Sequence, residues 1–329
     1  MRRLVLALLL IAGTSAILLL SDSQNRKHNE EQRQARVFII EYNRVLDVEE
    51  AEAGVLDGLR HGGLREGTDY TVEVLNAQGD VATLNSLIDA AAGQRADMLI
   101  TTSTPSLQAA ARKFKKAIIF TYVASPVAAG VGRTNEDHLP NVTGVYGLAP
   151  YSEMIDLIRE VLPHARNLGL VYVPAEPNMI FHMRNLEKAA AQAGLRVTAT
   201  SADTTAEVSD AASALCMRKI DAICQVPGNL TAASFPTIAS AARQARIPVF
   251  AFQSSQARTG AAIVLARDNF DAGQQAGVLA TRVLHGESPA AIPFGEFKGI
   301  RLIVNLSAAR EQGLTVPRSI LEHAEETLP

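Results

Sequence analysis

The residues that could do chemistry in this chain are hydroxyls, amides and phenols standing where apolar runs end: Tyr42 and Asn43, Thr104 and Ser106, Ser125, Asn178, Asn229, Gln253 and Ser254. Such groups hold polar ligands by donating and accepting hydrogen bonds, without attacking them. Tyr146 and Gly228 complete the candidate set at neighbouring run ends. The densest stretch is 98–108, MLITTSTPSLQ, where an apolar strand runs out into Thr101, Thr102, Ser103, Thr104 and Pro105. Thr104 suits a helix N-cap and Pro105 the first helical position. Ser106, Leu107 and Gln108 are then predicted to present unpaired N–H groups, which is a site for an anion or a hydroxyl. Glu176 is the one acid noted at a strand end, and a solvated or hinge-bonded role is expected for it.

Several chemistries find no residues to carry them. There is no GxSxG, no P-loop and no complete GxGxxG, and Gly130, Val131, Gly132 is too short a match to carry weight. The seven histidines are scattered without an HExxH arrangement, so neither a metal nor a cofactor is expected. No nucleophile and base fall together, which argues against an enzyme. A net charge of −3 with no basic face argues against a nucleic-acid partner. Cys216 and Cys224 show no disulfide framework, and two buried thiols are expected.

The elements that must position the polar run ends alternate between strand and helix. At 329 residues, 47% hydrophobic and 20% charged, the chain can build two cores. Strands are predicted at 37–40, 70–75, 97–101 and 118–122, and several are continuously apolar, as strands covered on both faces must be. Between them, Val48, Ala51, Val55 and Leu59 mark one helix face, stopped by Gly62 and Gly63, and Asp80 can cap the next helix. The pattern restarts near Val142 and gives further strands at 168–173, 195–200, 222–226 and 249–252. The fold class is therefore α/β, with two doubly wound parallel-sheet lobes. A strand at 261–265 assigned to the first sheet and one at 301–304 assigned to the second would make the chain cross between lobes three times, which is a hinge. The expected lobes are 36–145 plus 257–288 and 146–256 plus 289–329. In open α/β sheets the ligand sits beyond the strands' carboxyl ends, so two sheets facing each other form one cleft.

Residues 1–20 carry Arg2 and Arg3 before an apolar run, which reads as an export signal. A cleaved signal peptide and an uncleaved membrane anchor stay open as alternatives; either places the bulk in the periplasm, in the second case tethered to the inner membrane. Residues 21–35 are polar and read as a linker.

From about Arg36 onward the chain resembles the ABC transporter substrate-binding protein family that includes tryptophan- and other aromatic-amino-acid-binding members, with the type I periplasmic-binding fold. The resemblance is carried by GVLDGLRHGGLREG at 54–67, NAQGD at 76–80, Thr104 with Pro105 and Ser106, Ser125 with Pro126, Thr143 with Gly144, PAEPN at 174–178, IPVF at 247–250, Gly260, Gly273, LHGE at 284–287 and Asn305 with Leu306. It implies a small-molecule ligand held at Thr104, Pro105, Ser106, Ser125, Asn178 and Asn229. Ser125 and Gly228 stand where the family commonly has Asp. An ammonium group calls for a carboxylate partner, and these two departures remove candidates for it, so of the amino-acid-like ligand or organic anion the resemblance allows, a neutral or anionic organic molecule is expected. The implied partner is an ABC permease; a membrane sensor kinase is the alternative.

Overall fold

The computed structural model describes residues 34–329; the segment read as an export signal at 1–20 and most of the expected linker lie outside the described residues. Among the described residues no helix is long and apolar enough to cross a membrane. The first strand, β1 (Ala35–Glu41), begins at the end of the segment read as linker.

The first half of the chain runs β1, α1 (Leu46–His61), β2 (Tyr70–Asn76), α2 (Val81–Gly93), β3 (Met98–Thr101), α3 (Thr104–Lys113), β4 (Ala117–Val123) and β5 (Val142–Tyr146). The Asp80 side chain accepts from the Thr83 N–H at 2.6 Å, so α2 starts where its capping residue predicts. The second half continues with α4 (Tyr151–Val161), β6 (Asn167–Tyr172), α5 (Pro177–Gln192), β7 (Arg196–Ser201), α6 (Thr205–Cys216), β8 (Ala222–Gln225), α7 (Asn229–Ala233), α8 (Phe235–Ala245), β9 (Val249–Ala251), α9 (Ser254–Arg258) and β10 (Ile263–Arg267). The tail adds α10 (Asn269–Leu284), β11 (Gly295–Glu296), β12 (Ile300–Asn305), α11 (Leu306–Glu311), α12 (Arg318–His323) and β13 (Glu326–Leu328).

Two sheets result, ordered β11-β5-β4-β3-β1-β2 and β13-β12-β10-β9-β8-β6-β7. All their pairings are parallel except that of β10 with β12. Side-chain alternation sends Phe38 and Ile40 to one face of the first sheet and Val37 and Ile39 to the other, and a separate core forms on each. The second sheet is covered in the same way, with Leu170 and Phe250 facing one core and Val171 and Val249 the other. Each large apolar side chain buried this way contributes about 1.5–3 kcal/mol. This is the doubly wound α/β architecture in two lobes.

One expected assignment is corrected. The strand read at 261–265 is β10, and it joins the second sheet: Ile263 lies opposite Phe250 and Val264 opposite Ala251. Helix α9 returns the chain beside β9, and an apolar strand of this kind has the same pattern in either sheet. The chain therefore leaves the second sheet after Arg267 rather than near 257. Helix α10 then packs on α1, β11 adds to β5, and β12 returns to the second sheet. The chain still passes between the sheets three times, but the passages follow β5, β10 and β11.

Helices α1 and α10 meet through glycine. A Cβ at Gly54 or Gly58 would collide with the carbonyl oxygens of Phe270 or Gln274, and one at Gly273 or Gly277 with those of Ala51 or Val55. The two backbones lie against each other with no side chain between them.

Candidate functional site

The carboxyl ends of the strands in the two sheets face a common cleft, with roughly 810 Å³ of space between its walls when the open solvent at its mouth is included. Its apolar walls include Val45, Val123 and Val145 on the first-lobe side and Phe252 on the second. Polar side chains reach it from both lobes: Asn43, Thr104 and Tyr122 from the first, and Asn178, His182, Asn229 and Gln253 from the second.

Two helices start at the cleft, and their first turns are satisfied differently. At α3 the cap is Ser103 rather than Thr104: its backbone is extended, and its Oγ accepts from the Ser106 N–H at 3.2 Å. Thr104 is the first helical residue and Pro105 the second, where the missing N–H costs nothing. The expected free N–H groups of Ser106 and Leu107 are therefore taken, by the Ser103 side chain and by the Ser103 carbonyl. What remains for a ligand is the N–H and the hydroxyl of Thr104, a residue 6% exposed whose side chain makes no hydrogen bond to another described residue.

At α7 a carboxylate does the capping. Glu176, at the start of α5, accepts from the Asn229 N–H at 2.7 Å, from Asn229 Nδ2 at 3.1 Å and from the Leu230 N–H at 2.8 Å. Asn178 Nδ2 stands 3.5 Å from the same carboxylate, which leaves Asn178 Oδ1 buried and without a partner among the described residues. Glu176 is buried and fixed, not solvated.

Behind the cleft, Tyr151 and His182 form a buried pair, with the hydroxyl 2.6 Å from Nδ1. Burial pushes the imidazole pKa down to about 3 and the phenol pKa up, so both are neutral. The Tyr151 proton needs an acceptor, and Nδ1 is the one in reach. In the tautomer that accepts the Tyr151 proton, the ring proton sits on Nε2, which has no partner among the described residues.

Three contacts join the lobes around the cleft. Gln253 Nε2 donates to Tyr122 Oη at 2.6 Å, Asn43 Nδ2 donates to the Asn229 carbonyl at 3.2 Å, and Ser254 Oγ lies 2.9 Å from both the Asp47 and Glu50 carboxyls. One hydroxyl proton cannot serve two carboxylates, and burial holds the pKa of both acids above the ordinary carboxylate value. Tyr122 sits at φ +54° beside a β-bulge in β4, an unusual conformation for a residue with a side chain. Arg267, at the end of β10, donates to the carbonyls of Leu148 and Lys298, so one guanidinium ties the three passages between sheets together.

Of the candidates read from sequence, Thr104, Asn178, Gly228, Asn229 and Gln253 line this cleft. Ser125 lines a small side pocket with Thr104 and Asn178, and its Oγ accepts from the Ala128 N–H to close a turn. The other four do not line it. Tyr42 packs against the first-lobe core, Pro105 is half-buried in the first turn of α3, and Ser106 is fully buried with its hydroxyl on Ser103. Tyr146 accepts from Asn135. Sequence reading missed Tyr122, His182 and Arg267. His182 carried a usable signal, since it shares the inward helical face of Met179, Leu186 and Ala190. The cysteines are both free, Cys224 buried and Cys216 half-exposed at the end of α6.

A pair of doubly wound lobes with polar groups converging between them defines a two-lobed ligand-binding protein. The family model for ABC transporter substrate binding protein matches residues 40–328, and the chain belongs to that family. It is 28% identical over 307 residues to a tyrosine-binding protein of Clostridioides difficile, covering 90% of this chain and 89% of that one. A conserved domain protein from Vibrio cholerae is 30% identical with a TM-score of 0.85, covering 90% of this chain and all of the other. An ABC domain from Streptococcus pneumoniae, solved in complex with L-Trp, superimposes with the same TM-score of 0.85 at 24% identity over 90% of this chain and all of that one, a likeness of fold.

Proposed function

We propose that this chain is the periplasmic receptor of an ABC importer, which captures a small organic ligand, amino-acid-like or an organic anion, by closing its lobes and then presents it to a membrane permease. The observation that carries this reading is the cleft itself, in which Thr104 from one lobe and Asn178, Asn229 and Gln253 from the other converge on one space. Ser125 supports the rim of that site. Hydrogen bonds across the lobes, from Gln253 to Tyr122 and from Asn43 to the Asn229 carbonyl, are contacts that opening would break and a ligand would supplement. Binding proteins among the relatives, named for tyrosine in one case and holding L-Trp in another, support a ligand of that size.

Thermal shift over a panel of amino acids and organic acids tests the reading. A ligand that binds only the folded state, present at 100 times its Kd, adds about 2.7 kcal/mol. Small-angle scattering on the same samples is expected to show a smaller radius of gyration with that ligand. A panel that leaves both measurements unchanged refutes capture in the cleft.

A further inference from the structure

Resting on the cleft as the binding site, we infer that its ligand is a carboxylic acid with an apolar body that carries a neutral oxygen, hydroxyl or keto, where an α-amino acid carries its ammonium group. The first argument is the absence of a counter-charge. Among the described residues that line the cleft, none is Asp or Glu. Glu176, which caps α7 beside the cleft-lining Gly228 and Asn229, has its two oxygens occupied by the N–H groups of Asn229 and Leu230 and by the Asn229 amide. Asp47 and Glu50, at the lobe boundary, do not line the cleft: Ser254 and Asn269 lie on Asp47 Oδ1 and Arg301 on Glu50, while Asp47 Oδ2 is buried without a partner among the described residues. An ammonium group brought into this space would lose water without gaining a carboxylate, and a buried charge without a partner is costly.

The second argument is the supply of donors. Thr104 offers its hydroxyl and first-turn N–H on a residue 6% exposed. His182, 5% exposed, lies with Nδ1 2.6 Å from the Tyr151 hydroxyl, and in the tautomer that accepts the Tyr151 proton it offers Nε2–H. Tyr122 receives the Gln253 amide on its oxygen and keeps its own proton to give. Arg267 adds a cation at the hinge side. These groups call for acceptors, which a carboxylate and an adjacent oxygen supply. One buried acceptor, Asn178 Oδ1, lacks a donor, and the O–H of a 2-hydroxy acid is suited to fill it without a charge. Val45, Val123, Val145 and Phe252 leave room for an apolar side chain.

Isothermal titration of the purified protein with matched pairs tests this: L-tyrosine against 4-hydroxyphenyllactate, L-tryptophan against indole-3-lactate, and L-leucine against 2-hydroxyisocaproate, with the corresponding 2-oxo acids alongside. The expected result is that in the pair that binds, the oxygen acid binds at least tenfold tighter than the amino acid. An amino acid that binds as tightly or tighter overturns the inference and leaves the receptor reading standing. Binding by no member of any pair overturns the inference, and the receptor reading is then judged separately by its wider panel. His182→Gln, which keeps an acceptor for Tyr151 and a donor for the cleft, is expected to retain the ranking, and His182→Leu to weaken the oxygen acid about tenfold. If His182→Leu melts too low to titrate, the ranking on the unmodified protein and on His182→Gln decides.

Discussion

At the start of α3 a serine hydroxyl satisfies the backbone, whereas at the start of α7 a carboxylate brought from another helix does so. Both starts face the same cleft, and both have the positive end of a peptide dipole pointing toward it. At α7 the protein supplies its own anion, Glu176, so that end of the cleft is electrostatically filled before any ligand arrives. At α3 the cap is neutral and short, and the Thr104 hydroxyl is left over. The two lobes thus differ: one end is spent on holding a five-residue helix and the loop before it, and the other keeps the hydroxyl that the proposed function assigns to recognition.

The largest expected effect tests the structural half of this contrast. Glu176→Ala leaves two backbone N–H groups and an amide without their acceptor, and is expected to cost about 3 kcal/mol of stability in urea denaturation. A loss under 1 kcal/mol would mean that water replaces the carboxylate and that the two helix starts are alike. Next comes Thr104→Val, which keeps the shape and removes the hydroxyl. Ligand affinity is expected to fall about tenfold, or about 1.4 kcal/mol, with the apo melting temperature nearly unchanged. Equal losses of stability and affinity would assign Thr104 to the scaffold instead.

Ser103→Ala removes the neutral cap and is expected to cost about 1 kcal/mol, a third of the Glu176 effect. The smallest effect concerns protons. His182 is neutral with a pKa pushed down to about 3, so ligand affinity is expected to be flat between pH 5 and 8; a rise on acidification through pH 6.5 would reveal an imidazolium in the cleft. The same shift has a sign for folding. The unfolded chain takes up the proton near pH 6.5 and the folded one only near pH 3, so the stability this group contributes is lost as pH falls through that window. His182→Gln is expected to flatten the acid limb of the melting temperature.

Local signals carried most of the fold. Asp80 before an apolar periodic run marks α2, and Gly62 and Gly63 mark the end of α1, because capping and left-handed backbone are decided by a few neighbouring residues. Which sheet receives β10 is decided by pairing with β9, a contact that strand patterning does not encode. The cap at α3 moved by one residue because Ser103 and Thr104 are chemically equivalent caps, and only the extended backbone at Ser103 separates them. For the site, strand ends pointed to Thr104, Asn178, Asn229 and Gln253, since the carboxyl-end rule of α/β sheets acts through topology. Tyr122 escaped because its exposure to the cleft depends on a bulge, and Arg267 because its strand was ended too early.

The glycine-lined meeting of α1 and α10 bears on how the molecule moves. Helix α10 is the segment that comes back from the second sheet, and the first turns of α1 carry Asp47 and Glu50, which touch Ser254 of the opposite lobe. With carbonyls seated where side chains would be, neither helix can slide or roll on the other without a backbone clash. The pair is one stiff beam, so lobe closure of the kind proposed above would have to be taken up outside it, in the connectors where Arg267 grips Leu148 and Lys298.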